Sequence, residues 1–136
     1  MLRRILGNKG PCLELAQSLG AFTRPDQGDF SPLYVFLDVA NEGRESIEIA
    51  RIQISTKDGF PAHDEPLEGE RSLPVMLEPG DSIRVWTRAK PMAQILDRAG
   101  YAGKPRLRLV VEDGVGNIYE KRFAFRAEEY LRLKDE

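Results

Sequence analysis

Aliphatic side chains at every second position are the sequence feature that most constrains how this chain folds. They occupy alternate positions of residues 33–39, 73–77 and 107–111, with a shorter run at 83–85. Because successive side chains of a strand point to opposite faces, each run predicts a strand with one aliphatic face turned to the core. The pattern therefore favours a sheet-based core over a helical one.

Turn residues separate these runs, which gives roughly six or seven short strands with a turn about every eight to twelve residues. Such spacing is typical of an all-β, antiparallel β-sandwich of two sheets. Residues 20–32 are interpreted as a loop, because they are rich in glycine, proline and aspartate. Residues 12–19 fit either a strand or a helix, and we favour a strand because the elements that follow are β.

The second long strand contains a change of phase. Ile47 and Ile49 share one parity, whereas Ile52 and Ile54 share the other. A regular strand cannot turn both pairs to the same face without one extra residue. We therefore predict a β-bulge near Ala50 and Arg51, or a strand that is covered on both sides.

Two turns and one helix interrupt the strands. Residues 78–81 have proline second and glycine third, as in a type II turn, and residues 113–117 have the glycines and asparagine of a hairpin turn. Residues 91–99 predict a short helix that ends at Gly100. Its apolar stripe, which we expect to plug the open end of the sandwich, consists of Met92, Ile95, Leu96 and Ala99.

The predicted core combines the inward-facing side chains of the strands, whose burial at ~1.5–3 kcal/mol each drives folding. It consists of Val35, Leu37, Val39, Ile52, Ile54, Leu77, Ile83, Val85, Leu107, Leu109, Val111, Phe123 and Phe125.

The length of 136 residues fits one domain. We expect a flexible basic leader over residues 1–10, the sandwich over residues 11–126, and a charged tail over residues 127–136. One helical turn of that tail is expected to touch the body through Tyr130 and Leu131.

Composition argues against disulfide bonding, membrane insertion and secretion. The single cysteine excludes an internal disulfide, and the net charge of −2 gives no bulk attraction to nucleic acid or to a membrane. No run approaches the ~20 apolar residues of a spanning helix, and the first residues lack the apolar core of a secretory signal. We therefore expect a soluble, cytoplasmic protein.

Three groups of turn and core residues resemble immunoglobulin-like sandwich domains of bacteria. They are the strand end 39–43 with Asn-x-Gly, the turn 77–82 with Leu-x-Pro-Gly-Asp-Ser, and the closing hairpin within 107–125 with Asp-x-x-Gly. The run 77–125, which includes Val85-Trp86 and Ala99-Gly100-Tyr101, is similar to small uncharacterised bacterial proteins of this type. The resemblance covers residues 33–126 and implies an immunoglobulin-like or fibronectin-III-like sandwich with one short helical insert. It carries over no catalytic residue.

Few residues offer catalytic chemistry. His63 is the single histidine and precedes Asp64 and Glu65, which makes a small metal-dependent hydrolase centred on His63 one alternative. Adjacent residues form a poor metal site, no second histidine joins them, and no nucleophile motif surrounds Cys12. We therefore expect an exposed loop histidine and no enzymatic activity, metal or cofactor.

The stretch 57–72 is the strongest candidate for a recognition surface, because structureless segments longer than ~12–15 residues are uncommon and often functional. A passive crossover between the sheets, with a minor edge strand, is the alternative. We expect a non-catalytic binding or scaffold module that meets a protein partner or a second copy through this loop or an edge strand. The residues expected to contact the partner are Asp58, Phe60, His63, Asp64, Glu65 and Leu67.

A second hypothesis is a polyanion or nucleic-acid binder that uses outward-facing arginines, with the single tryptophan stacking on a base. Glu112 and Glu120 weigh against it because they can pair with arginines of the same hairpin. An immunoglobulin-like topology would also place the two arginine groups on different sheets. The residues concerned are Arg84, Trp86 and Arg88 on one strand, and Arg106, Arg108, Arg122 and Arg126 on the closing hairpin.

Overall fold

The computed structural model of the chain describes residues 12–21, 23–24, 29–30, 32–101 and 103–133. The predicted leader over residues 1–10 and parts of the predicted 20–32 loop lie outside the described residues. The elements, in chain order, are β1 (Leu13–Gly20), β2 (Thr23–Arg24), β3 (Asp29–Phe30), β4 (Tyr34–Asn41), β5 (Ile47–Thr56), β6 (Glu68–Gly69), β7 (Val75–Leu77), β8 (Ser82–Arg88), α1 (Ala89–Arg98), β9 (Arg106–Asp113), β10 (Ile118–Ala124) and α2 (Ala127–Tyr130).

Eight of the ten strands in the described part of the chain form two four-stranded sheets. The first sheet has the order β1-β4-β8-β6 and the second has the order β10-β9-β5-β7, while β2 and β3 pair only with each other. All of these pairings are antiparallel. The predicted two-sheet antiparallel architecture is therefore confirmed. Residues 12–19 are extended, because β1 pairs with β4 along its whole length.

The two sheets enclose one apolar core. Every member of the predicted core is buried, with fractional exposures between 0% and 8%. Residues outside the predicted core join it: Ile47 and Ile49 from β5, Ala62 after β5, and Ala127 from α2. Tyr130 and Leu131 contact the core as predicted. The alternation of aliphatic residues thus predicts the interior correctly, because each strand has one face against the other sheet.

The predicted β-bulge is confirmed in β5. The register with β9 shifts between Ile49, which pairs with Asp113, and Arg51, which pairs with Glu112. The extra residue turns Ile52 to the same face as Ile49, so that both side chains are buried. The change of phase in the sequence is therefore resolved by a local insertion in the strand.

The helical insert follows β8 directly and packs against α2. Its buried face consists of Ala89, Met92, Ala93 and Leu96. The prediction is wrong for two residues of the apolar stripe, since Ile95 is only half-buried and Ala99 is exposed. The helix begins earlier than predicted, at Ala89, and Ala89 and Ala93, one turn apart, share the buried face.

The end of α1 matches its prediction. Gly100 adopts a positive φ of 92°, and the Tyr101 N–H donates to the Leu96 carbonyl over 2.9 Å. This reversal is the left-handed helix stop that favours glycine. Neither helix in the part of the chain that the structure describes has the length and apolar content needed to cross a membrane.

Residues 57–72 are not structureless throughout. Glu68 and Gly69 form β6, which pairs with Trp86 and Val85 of β8 at the edge of the first sheet. This is the minor edge strand of the crossover alternative, whereas the interpretation as a stretch without regular structure is corrected. Ala62 is fully buried. Long-range pairing with β8 creates this strand, and a two-residue element leaves no periodic pattern from which the sequence could predict its position.

Candidate functional site

A cleft of about 290 Å³ lies where β8 runs into α1, on the outer face of the first sheet. Its floor is formed by the end of β8 and the start of β4, one wall by α1, and the other wall by the segment 63–66 together with β6. Its lining residues include Trp86, Arg88, Gln94, Arg98, His63, Asp64, Glu65 and Glu68.

Strand alternation places Trp86 on the floor of this cleft. Val85 points into the core, so its neighbour Trp86 points outward, beside its register partner Phe36 on β4. The two rings are tilted by 58° with centroids 6.3 Å apart. The Trp86 Nε1–H donates to the Glu68 carboxylate over 3.0 Å, which ties the indole to β6.

His63 forms part of the opposite wall, and both of its ring nitrogens have backbone partners. Nε2 accepts a hydrogen bond from the Ile54 N–H at 3.2 Å, so Nδ1 carries the proton and donates to the Glu65 carbonyl at 2.8 Å. The ring is half-buried rather than exposed as the sequence predicts. A metal ion or a substrate proton would have to displace one of these two contacts.

The two walls of the cleft carry opposite charges. Asp64, Glu65 and Glu68 lie on the side of the 63–68 segment, whereas Arg88 and Arg98 lie on the side of β8 and α1. Among the described residues, no group of three or more histidine, cysteine, aspartate or glutamate side chains is arranged to hold a metal ion. The separation of charge favours ligands that present both signs.

Only part of the predicted partner-contact set lies in this cleft. Asp58 and Phe60 lie instead against Tyr101, just beyond α1: the Tyr101 hydroxyl donates to the Asp58 carboxylate at 2.9 Å, and the Phe60 and Tyr101 rings are 5.8 Å apart. Hydrogen bonds from the hydroxyls of Thr56 and Tyr101 lower the pKa of Asp58. Leu67 is half-buried against the core. These contacts fasten the first part of the 57–72 stretch to the body.

The arginines of the polyanion hypothesis are divided between the two sheets. Arg84 on β8 donates to Asp38 over 2.7 Å and lies 5.0 Å from the centre of the Phe36 ring. The hydrogen bond to Asp38 raises the pKa of Arg84. Trp86 and Arg88 are the members of this set that line the cleft.

The remaining arginines lie on or beside the second sheet. Arg108 pairs with Glu120 at 2.9 Å, as expected for this hairpin, and Arg106 and Arg122 share its outer face. The placement of Arg126 on the hairpin is wrong, because β10 ends at Ala124 and Arg126 precedes α2. Arg126 approaches Glu129 to 3.6 Å.

Gln94 and Arg98 are among the lining residues that sequence reasoning missed. They are exposed on α1 and form the cation-bearing wall together with the end of β8. Their spacing of four residues places them on one helical face, which is the signal that could have found them.

Two buried polar residues fasten the sandwich away from the cleft. The Asn41 side chain donates to the carbonyls of Glu45 and Leu77 and accepts from the Gly43 N–H, each over 2.9 Å. It therefore joins the β4–β5 turn to β7. Asn41 is 1% exposed, so these bonds satisfy a side chain that water does not reach.

Asp113 plays the same role in the β9–β10 hairpin. Its carboxylate accepts from the Asn117 N–H at 2.8 Å and from the Tyr119 hydroxyl at 3.1 Å, with further bonds from Val115 and the Asn117 amide. Desolvation opposes ionisation, but these hydrogen bonds together outweigh it and lower the pKa of Asp113. Burial and the bond to Asp113 raise the pKa of Tyr119 to about 12.

Comparison with known proteins gives structural likenesses of low identity. No protein-family model and no curated protein matches the chain. A FixG-related protein from Vibrio parahaemolyticus has a TM-score of 0.44 at 14% identity, over 82% of this chain and 94% of its own. A protein described as ApaA from Bordetella pertussis has a TM-score of 0.42 at 12% identity, over 87% of this chain and 95% of its own. The structural-genomics target SoR45 has a TM-score of 0.41 at 10% identity, over 93% of both chains.

Proposed function

We propose that this chain is a non-catalytic binding module with an immunoglobulin-like sandwich fold, and that the cleft at Trp86 holds a side chain of a protein partner. The strand orders are β1-β4-β8-β6 and β10-β9-β5-β7, and all of these strands except the three-residue β7 support the fold assignment. They correspond to the A-B-E-D and G-F-C sheets of immunoglobulin-like domains.

The size of the cleft supports a protein side chain over a complete small-molecule ligand. Its volume of about 290 Å³ lies at the lower limit of the roughly 300–1,000 Å³ that enclose drug-sized ligands. A cleft of this size accommodates one or two side chains of a partner. Pockets that receive single anchoring side chains dominate the binding energy of many protein interfaces.

The chemistry of the cleft indicates what the anchor would be. Trp86 offers an aromatic surface, and tryptophan and arginine are enriched among the residues that contribute most to interfaces. Carboxylates on one wall and arginines on the other suit a partner segment with an apolar or aromatic side chain between a basic and an acidic residue. The charge separation across the Trp86 floor is the observation that carries this proposal.

Site-specific photo-crosslinking tests the proposal. A benzoylphenylalanine at Gln94 is expected to capture a protein partner from an extract of the native host, whereas the same group at Arg122, exposed on the second sheet, captures none. Crosslinkers at single positions are preferable to deletion of the candidate recognition segment 58–71, because that deletion would remove the buried Ala62 and β6.

Trp86 supplies the quantitative readout, because it is the single tryptophan of the chain. Addition of the purified partner is expected to shift Trp86 emission, and Arg98→Glu should weaken binding whereas Arg122→Glu should not. Equal capture from both crosslinking positions, or binding without any change in Trp86 emission, would refute the cleft as the partner site. Light scattering distinguishes a second copy from a different protein as the partner.

A further inference from the structure

A second groove, of about 680 Å³, lies on the flank of the sandwich where β5 faces β6 across the two sheets. The segment 63–68 separates it from the Trp86 cleft, since its residues line both. Its apolar lining comes from both layers and from the connecting segment, through Ile52, Leu67, Leu73 and Val85. Residues 50–53 of β5 line one side of it.

The edge of β5 that faces away from β9 is paired at both ends of this groove. At the N-terminal end, β7 pairs with residues 47–49 and reaches only as far as Val75 opposite Ile49. At the C-terminal end, the Ile54 N–H donates to His63 Nε2, and the Ile54 carbonyl accepts from the Ala62 N–H at 2.9 Å. Residues 50–53 between these pairings form a gap of about 13 Å at strand spacing.

The backbone of Ile52 points into this gap. Ile54 directs its N–H and carbonyl away from β9, and in a strand the residue two positions earlier points to the same side. The N–H and carbonyl of Ile52 therefore face the groove, while its side chain turns into the core. Within the part of the chain that the structure describes, no residue pairs with these two groups on that side.

We propose that this gap binds a short extended segment of a partner protein, which adds to the second sheet between β7 and His63. A residue that exchanges both backbone hydrogen bonds with Ile52 has its side chain on the same face as the Ile52 side chain. That side chain enters the groove between the sheets, against Leu67, Leu73 and Val85. It is therefore apolar.

The neighbours of this apolar residue are acidic. In an extended segment they point to the opposite face, the outer face of the second sheet, where Arg51 lies. The Arg51 side chain is 65% exposed, and its contact with Glu112 uses one of its terminal nitrogens. Arg71, 41% exposed, also lines the groove, but one of its terminal nitrogens holds it to Asp81 and to the Ser82 carbonyl at the start of β8, in the first sheet. Spare donors on the Arg51 guanidinium therefore favour an acidic neighbour, and the form acid–apolar–acid offers Arg51 a carboxylate on either side of the apolar residue.

Hydrogen exchange of the free protein tests the gap itself. The Ile52 amide is expected to exchange at least about tenfold faster than the amide of Gln53, which is directed towards β9. If the Ile52 amide is as protected as that of Gln53, the edge is already closed and the proposal is wrong.

Titration followed by amide NMR tests the occupant. The probe is the capped peptide Ser-Glu-Leu-Glu-Ser, expected to bind with a Kd of about 1 mM and to protect the Ile52 amide. The same peptide with an N-methylated leucine lacks the donor for the Ile52 carbonyl and should bind at least about tenfold more weakly. A peptide with lysines in place of the glutamates should also bind more weakly.

The variant Arg51→Glu is expected to reverse the preference between the acidic and basic peptides, and Arg122→Glu serves as the matched control on the same sheet. Peptide binding that leaves the Ile52 amide unprotected, or that tolerates N-methylation, would overturn the proposal, and so would an absence of binding at ten times the expected Kd. The Ile52 amide and Trp86 emission report separately, so failure here is distinguishable from failure of the Trp86 cleft as a partner site.

Discussion

Replacement of His63 by alanine separates a structural histidine from a chemical one. The change removes the acceptor of the Ile54 N–H, while the Nδ1 contact to the Glu65 carbonyl is exposed and is replaced by water. A net hydrogen bond contributes about 1 kcal/mol, and a donor left without a partner adds up to the cost of its desolvation. Because this bond is only partly buried, we expect a loss of about 1–2 kcal/mol. In a chain of this size that lowers the Tm by roughly 4–8 °C.

Thermal unfolding and hydrogen exchange check this prediction together. The Ile54 amide should exchange at least about tenfold faster in His63→Ala, because its acceptor is gone. Asp64→Ala is the matched control, since Asp64 is exposed and adjacent, and it should change stability by less than about 0.5 kcal/mol. An unchanged Tm together with an unchanged exchange rate of the Ile54 amide would show that the His63 ring does not stabilise β5. The imidazole would then be available as a general base, as the hydrolase alternative requires.

Two further predictions concern the sandwich itself. Leu109→Ala removes a fully buried side chain at the centre of the second sheet and should lower the free energy of unfolding by ~2–5 kcal/mol; urea denaturation with an unchanged midpoint would contradict this. The lowered pKa of Asp113 stabilises the fold above the ordinary carboxyl pKa of 3.8, and this contribution is lost as the pH falls through the lower, folded-state value. The stability difference between the native chain and Asp113→Asn should therefore be largest near about pH 6 and shrink below about pH 3, and a constant difference across this range would refute the assignment.

Local patterns determined much of the fold. The phase change between Ile49 and Ile52 requires one extra residue whatever the rest of the chain does, and the bulge lies where that argument places it. Gly80 likewise has a positive φ of 85° in the turn whose proline and glycine predict it. Both features depend on neighbours within a few residues, which is the range over which sequence patterns act.

The candidate sites show where such reasoning ends. α1 follows β8 directly, so the direction in which β8 ends decides which face of the helix is buried. For this reason the predicted stripe includes Ile95 and misses Ala93. His63 accepts a hydrogen bond from Ile54, nine residues away, and no local pattern indicates that its ring is occupied. Asp58 is fastened to Tyr101 across 43 residues of sequence.

The sequence by itself determined which faces of the long strands are inside, because burial follows a period of two that the bulge in β5 interrupts once. The tertiary structure alone decided which outward-facing groups lie together. It placed Trp86 and His63 in one cleft, although the sequence analysis assigned them to two separate hypotheses. It also left Ile52 between two paired stretches of the edge of β5. Both outcomes depend on where strands distant in sequence stop pairing, and that is fixed only when the two sheets pack together.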